Sequence, residues 1–189
     1  MPMTRYYEYR PDCTIAGIGT ARANWDRLEY IYLSDVSLAG TWTPMVFHGF
    51  KEDSQRQGDF PSLHDHPALP VFSQRAWDVL SPLIGCHCEA LAIVHPDGEP
   101  YFIIHVIETT DCVDLERSRI QQYCTGGVMA IERYCLKTEM LFGKHIFRTP
   151  VVARGQLLLD DVFREAVEKN RLMGLEFRPL PMVQELRGA

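Results

Sequence analysis

Apolar residues at Phe72, Ala76, Trp77, Leu80, Leu83 and Ile84 recur at the spacing of one buried helical face, which predicts a helix beginning just after Pro70. Ser73 is its expected N-cap, because its hydroxyl can accept a bond from an unpaired amide of the first turn. Pro82 is expected to bend or end this helix, with Gly85 following. A second helix is predicted from a cap at Asp160 or Asp161 to about Leu172, with Val162, Phe163, Ala166 and Val167 as its buried stripe. Acids at its start and Lys169 and Arg171 near its end suit the helix dipole. Gly174 stops it, and residues 175–180 are expected to pack back in extended form.

The remaining pattern is strand-like. Tyr6, Tyr7 and Tyr9 predict a first strand over residues 4–10, ended by Pro11-Asp12. Gly17, Gly19 and Asn24 predict a loop. Leu28 to Leu33 has the composition of a second strand, and Thr41 to Phe47 that of a third, confined to an edge by Pro44. Two apolar runs, 89–94 and 101–107, flank Pro96-Asp97-Gly98, a hairpin signal. The second run is nearly continuous in apolar character, so it is expected to lie centrally, covered on both faces. Residues 109–114 predict a turn, and 128–134, 145–148 and 151–152 further strands. The fold class is therefore α+β, a mainly antiparallel or mixed sheet with a few packed helices. The polar stretch 51–59 marks the expected boundary between an N-terminal β-rich portion (1–53), packed on the rest, and an α+β domain (54–189).

Composition narrows the function. The chain has 189 residues, 46% hydrophobic and 23% charged, with a formal net charge of −6. A chain this long buries a core without staples. Its acidity argues against a general nucleic-acid binder, which needs a basic face to displace counterions. The first ten residues lack a signal-peptide core, and no stretch approaches the roughly 20 apolar residues of a membrane span. The expected location is the cytoplasm, where the six cysteines would be reduced thiols.

Candidate chemistry is sparse. His64-Asp65-His66, with Cys86-His87-Cys88, offers metal-ligand types, but not the C-x₂₋₄-C or H-x₃₋₅-H spacing of zinc sites. Cys112 with His105 and Asp111 or Asp114 could be drawn as nucleophile, base and orienter, yet no nucleophile elbow or papain-type flank accompanies it. Gly126-Gly127 is not a P-loop, and no G-x-G-x-x-G opens a helix. Asp111, Asp114 and Glu116 could perform acid–base work, cap a turn, or attract a basic partner. An exposed aromatic ringed by acids would be a binding anchor.

Several separated pieces carry a resemblance when taken together. They are Asp59-Phe60-Pro61-Ser62-Leu63, then Pro70 to Leu80 with Pro82-Leu83, then Tyr101 to Val106 with Asp111 to Asp114. His145-Ile146-Phe147-Arg148 and Gly174 to Leu180 complete the set. Their order over residues 55–182 resembles the immunity protein eleven family of bacterial polymorphic toxin systems. The resemblance implies a small cytoplasmic protein that neutralises a cognate toxin by direct, tight binding, with no catalytic residue and no cofactor to carry over. The implied partner is the C-terminal toxic domain of a secreted effector in interbacterial competition, not a nucleic acid or a membrane. Because recognition sits in loops, the expected contacts are exposed acids: Glu52, Asp53, Asp59, Asp65, Glu108, Asp111, Asp114 and Glu116. The competing expectation is a small hydrolase using Cys112 or a metal at His64 and His66.

Overall fold

The structure is a computed structural model that describes residues 4–50, 56–64, 66–95, 98–151 and 156–183. Among these residues are ten strands and three α-helices, an α+β arrangement of small antiparallel sheets. The strands are β1 (Tyr6–Glu8), β2 (Gly17–Thr20), β3 (Phe47–Phe50), β4 (Val71–Ser73), β5 (Cys88–Ile93), β6 (Tyr101–Val106), β7 (Arg119–Gln122), β8 (Val128–Arg133), β9 (Ile146–Thr149) and β10 (Gln156–Asp160). The helices are α1 (Trp25–Leu33), α2 (Gln74–Ile84) and α3 (Asp161–Lys169).

Two three-stranded sheets organise the core, ordered β4-β6-β5 and β1-β10-β9; β2-β3 and β7-β8 are two-stranded. The predicted hairpin forms: β5 and β6 pair from Cys88 opposite Val106 to Ile93 opposite Tyr101. Of its turn, Pro96 and Asp97 lie outside the described residues, while Gly98 takes φ +76°, a conformation that a side chain disfavours. β6 is the middle strand, as its apolar run predicts. Ile104 and Val106 face one core with Ala76, Leu80 and Ile84 of α2 and Phe163 and Val167 of α3. Ile103 faces the other with Leu28 and Ile31 of α1, Phe47 and Leu91. β10 divides in the same way: Leu157 and Leu159 join the first core, and Leu158 joins a third with Tyr6, Cys112, Phe147 and Leu141. Alternation along each strand thus supplies two faces that both need covering.

α2 begins where the sequence places it, with Ser73 accepting a bond from Ala76 N at 3.1 Å. Pro82 falls inside its last turn without ending it, and the closing bond runs from Gly85 N to Ser81 O at 2.8 Å. Asp160 is the α3 cap, accepting from Phe163 N at 2.9 Å. That helix closes at Lys169, short of Leu172.

Four expectations need correction. Leu28 to Leu33 is the body of α1, not a strand. β-Propensity is overridden there by burial at helical spacing, with Leu28 and Ile31 inside while Tyr30 and Leu33 are exposed. Gly17 to Thr20 is a strand, pairing with β3, so these glycines extend rather than turn the chain. The third strand begins at Phe47, because residues 41–45 precede it as turn and irregular chain and Val46 makes only an isolated bridge to Val94. Three strands also went unforeseen, β4 just before α2, the polar β7 and the leucine-rich β10; of the 151–152 strand, Val151 is a bend and Val152 lies outside the described residues.

A helix and a strand over residues 25–33 differ in which side chains share a face. Leu28→Ala is expected to cost about 3 kcal/mol and Tyr30→Ala less than about 0.5 kcal/mol. Denaturant unfolding of both variants checks this; equal costs would restore the strand.

Candidate functional site

The sequence-derived carboxylates divide by location. Glu52, Asp53 and Asp65 lie outside the described residues. Asp59 is 5% exposed and is not a surface acid. Its carboxylate accepts from Ser73 Oγ at 2.8 Å, Arg75 Nη1 at 3.0 Å and Met173 N at 2.9 Å. Its own backbone donates to Met173 O and accepts from Ser73 N. Arg75 reaches on to the carbonyls of Asn170 and Arg171. One carboxylate therefore joins the 59–63 loop, the start of α2 and the chain beyond α3. Next to it Gly174, at φ +115°, leaves only 3.2 Å between a would-be Cβ and Phe60 O, so a side chain there would push the segments apart. The expectation of an exposed contact at Asp59 is corrected on this ground: a loop charge carried inward is stable where donors meet it. A cleft of about 710 Å3 opens beside this hub, lined among others by Arg75, Asp78, Glu99 and Tyr101.

The remaining acids of the 108–116 stretch lie at or near the surface, three of them with a local partner or role. Glu108 pairs with Lys144 and lies 2.7 Å from Nδ1 of His87. Burial, then the charges of Lys144 and His145, hold the His87 imidazole below its ordinary value. Asp111 lies 3.5 Å from Lys137. Asp114 caps a turn, accepting from the backbone N–H of Glu116 and of Arg117 at 3.1 Å each. Glu116 is exposed.

The drawn catalytic triple is not brought together. Cys112 is fully buried in the third core, and burial pushes its thiol up to about 11. His105, 1% exposed, directs Nδ1 to Glu89 Oε1 at 2.7 Å and Nε2 to Ser34 O at 3.0 Å. Asp111 and Asp114 serve the contacts just described. The histidines of the metal candidate take different neighbours: the His64 ring lies 4.9 Å from Phe50, and the His66 ring 6.4 Å from Trp25. Cys88 is buried, its thiol pushed up to about 12, whereas Cys86 is exposed. Among the described residues no group of three His, Cys, Asp or Glu side chains is placed to hold a metal ion.

A second buried polar cluster escaped sequence reasoning. Glu89, opposite His105 in the β5–β6 register, accepts from Leu38 N at 2.6 Å, Ser37 Oγ at 2.9 Å and Ala39 N at 3.1 Å. Arg148, from β9, donates to Ser34 O at 2.7 Å and also to Tyr32 O. Carbonyls at the end of α1 are thereby held by a guanidinium and an imidazole, and the following loop by a carboxylate. The signal was present: a glutamate within an apolar run, with a histidine across the hairpin.

These geometries describe a scaffold whose buried polar groups hold the fold. Residues 90–181 match the model of the Immunity protein family (Imm11). The match lies within the stretch 55–182 that carries the resemblance, and it runs from within β5 past α3. It takes in His105, Cys112, Arg148 and Asp160 as well as the 108–116 surface. No curated protein matches the chain. Among the described residues no helix is long and apolar enough to cross a membrane.

Two expectations test the internal clusters. Asp59→Ala should cost about 2–4 kcal/mol, because it strands the donors of Ser73, Arg75 and Met173; urea unfolding measures it, and a cost below about 0.5 kcal/mol would mean the hub is not structural. At Glu89, burial works upward on the carboxyl, but bonds from His105, Leu38, Ser37 and Ala39 outweigh it and hold the group below 4.5. A lowered folded value means that the unfolded chain binds the proton more readily. The Glu89 contribution to stability is therefore complete above pH 4.5 and is lost as pH falls through its lower folded value. Glu89→Gln should flatten the stability–pH curve over that acidic window.

Proposed function

We propose that this chain is an immunity protein that neutralises a cognate bacterial toxin by direct, tight binding, and is not an enzyme. The observation that carries the proposal is the Imm11 match over residues 90–181. The setting of the reactive side chains supports it. Cys112 is packed as a small hydrophobe, its thiol pushed to about 11, far from the thiolate a nucleophile requires. His105 has both ring nitrogens occupied, Nδ1 by Glu89 of β5 and Nε2 by the Ser34 carbonyl just past α1. The partner is the C-terminal toxic domain of a secreted effector in a polymorphic toxin system, met in the cytoplasm; no nucleic acid and no membrane takes part. A net charge of −6 speeds encounter with a basic toxin. The contact draws on the outward acids Glu108, Asp111, Asp114 and Glu116, within an interface of about 1,600 Å2 in total.

The test is co-expression with the toxic domain encoded beside this chain's gene. Growth arrest by that domain should be relieved, and the two chains should co-elute in size-exclusion chromatography. Relief without a stable complex would argue for an enzymatic antidote instead.

A further inference from the structure

Phe142 is 95% exposed, well beyond the other exposed large hydrophobics, which range from 36% to 66%. An apolar ring held almost wholly in water contributes nothing to this fold, although the backbone beneath it is fixed. Leu141 on one side is buried in the third core. The preceding residues form a tight turn, Thr138–Leu141, in which Met140 N donates to Lys137 O at 3.0 Å. On the other side Gly143 takes φ +74° and Lys144 N donates to Leu141 O at 3.1 Å. The ring is thus presented on a rigid support and loses little freedom when covered, a property of aromatic anchors in protein interfaces.

The surroundings indicate what covers it. Lys137 N donates to Cys112 O at 2.8 Å, so the turn leaves the body beside Asp111. In both ion pairs at its base the acid stands further out than its lysine. Asp111 is 71% exposed against 37% for Lys137, and Glu108 41% against 15% for Lys144. Glu139 is exposed within the turn itself, and Met140 beside it is 47% exposed. Phe142 and Met140 are thus the exposed apolar residues of a segment whose ion pairs turn the acid, rather than the lysine, further outward. Charge complementarity asks for a pocket that is apolar inside and lined at its mouth by Lys or Arg.

We propose that Phe142 is the anchor of the toxin contact, seated in an apolar pocket of the toxic domain whose rim is basic, with Asp111, Glu139 and Glu108 facing that rim. This inference rests on the immunity reading and adds the surface through which it acts.

The experiment uses the toxic domain encoded beside this chain's gene, made inactive by substitution, and measures its affinity for the full chain by titration calorimetry. Phe142→Ala should weaken binding at least about 30-fold, as loss of a buried aromatic anchor does, while the thermal midpoint of the chain stays unchanged. Asp111→Lys with Glu139→Lys should slow association about tenfold, with the difference shrinking as salt is raised. Val162→Ala, an exposed apolar position on α3, should leave affinity unchanged and serves as control. Wild-type binding with Phe142→Ala within twofold of it would overturn the anchor and leave the immunity reading standing. A wild-type chain that neither binds nor protects would remove both. Should the chain form a dimer that Phe142→Ala dissociates, with toxin affinity intact, the ring serves self-association and the proposal is wrong.

Discussion

The buried carboxylate of Asp59 is the constraint on which the arrangement of helices depends. Its donors come from three places: the residue that caps α2, the first turn of that helix, and the chain just past α3. Helices that pack through apolar stripes alone can slide, because burial is proportional to area and has no direction. A carboxylate with three fixed donors removes that freedom, since any slip leaves a charge unpaired in a place that water reaches poorly. The apolar contacts of Phe60, Phe72 and Phe163, whose rings meet edge-on or tilted in the same core, supply the attraction. Asp59 supplies the register.

The same division recurs on the opposite face of β6. Leu28 and Ile31 attach α1 by burial, while Arg148, His105 and Glu89 fix where the helix ends. A guanidinium against the last carbonyls of a helix also meets the negative end of its dipole. Arg148 is buried at some electrostatic cost, and burial lowers its proton affinity first, with Tyr32, Asp35 and Cys88 acting the other way. That cost is offset only where several acceptors converge, as the Tyr32 and Ser34 carbonyls do here. Two of the three cores are thus indexed by buried ionic groups, Asp59 at one and Arg148 with Glu89 at the other, each at a junction of non-adjacent segments.

This explains what the sequence made legible. α2, α3 and the β5–β6 hairpin could be read because local rules fix them: Ser73 and Asp160 as caps, an apolar stripe, and a turn signal between two apolar runs. The central place of β6 followed from its unbroken apolar character. α1 could not be read in that way, because Tyr30, Ile31 and Tyr32 are strand formers and only tertiary burial selects Leu28 and Ile31 as the inner face. β10 was missed because three leucines in a row carry no periodicity, and one of its neighbours, β1, is distant in sequence. The inward turn of Asp59 and the pairing of Glu89 with His105 depend on partners 14 to 114 residues away, at Ser73 and Met173 for the former. For Asp59 no local rule reports such contacts, whereas the hairpin register alone sets Glu89 opposite His105.

A consequence follows for where recognition can reside. The net charge of −6 overstates the acidity available to a partner, because Asp59 and Glu89 are spent on internal donors and Asp160 is occupied by a helix cap and by His145. The acids that remain outward in the Imm11-matched stretch sit on turns whose backbones are closed by their own hydrogen bonds, as at Asp114. Substitution at such positions costs the fold little, whereas substitution at Asp59, Glu89 or Arg148 disturbs how segments are joined. A protein that must match one partner and reject others is well served by this separation. Its surface can be altered for specificity without reopening the register of its cores, so recognition and folding answer to different residues of the same chain.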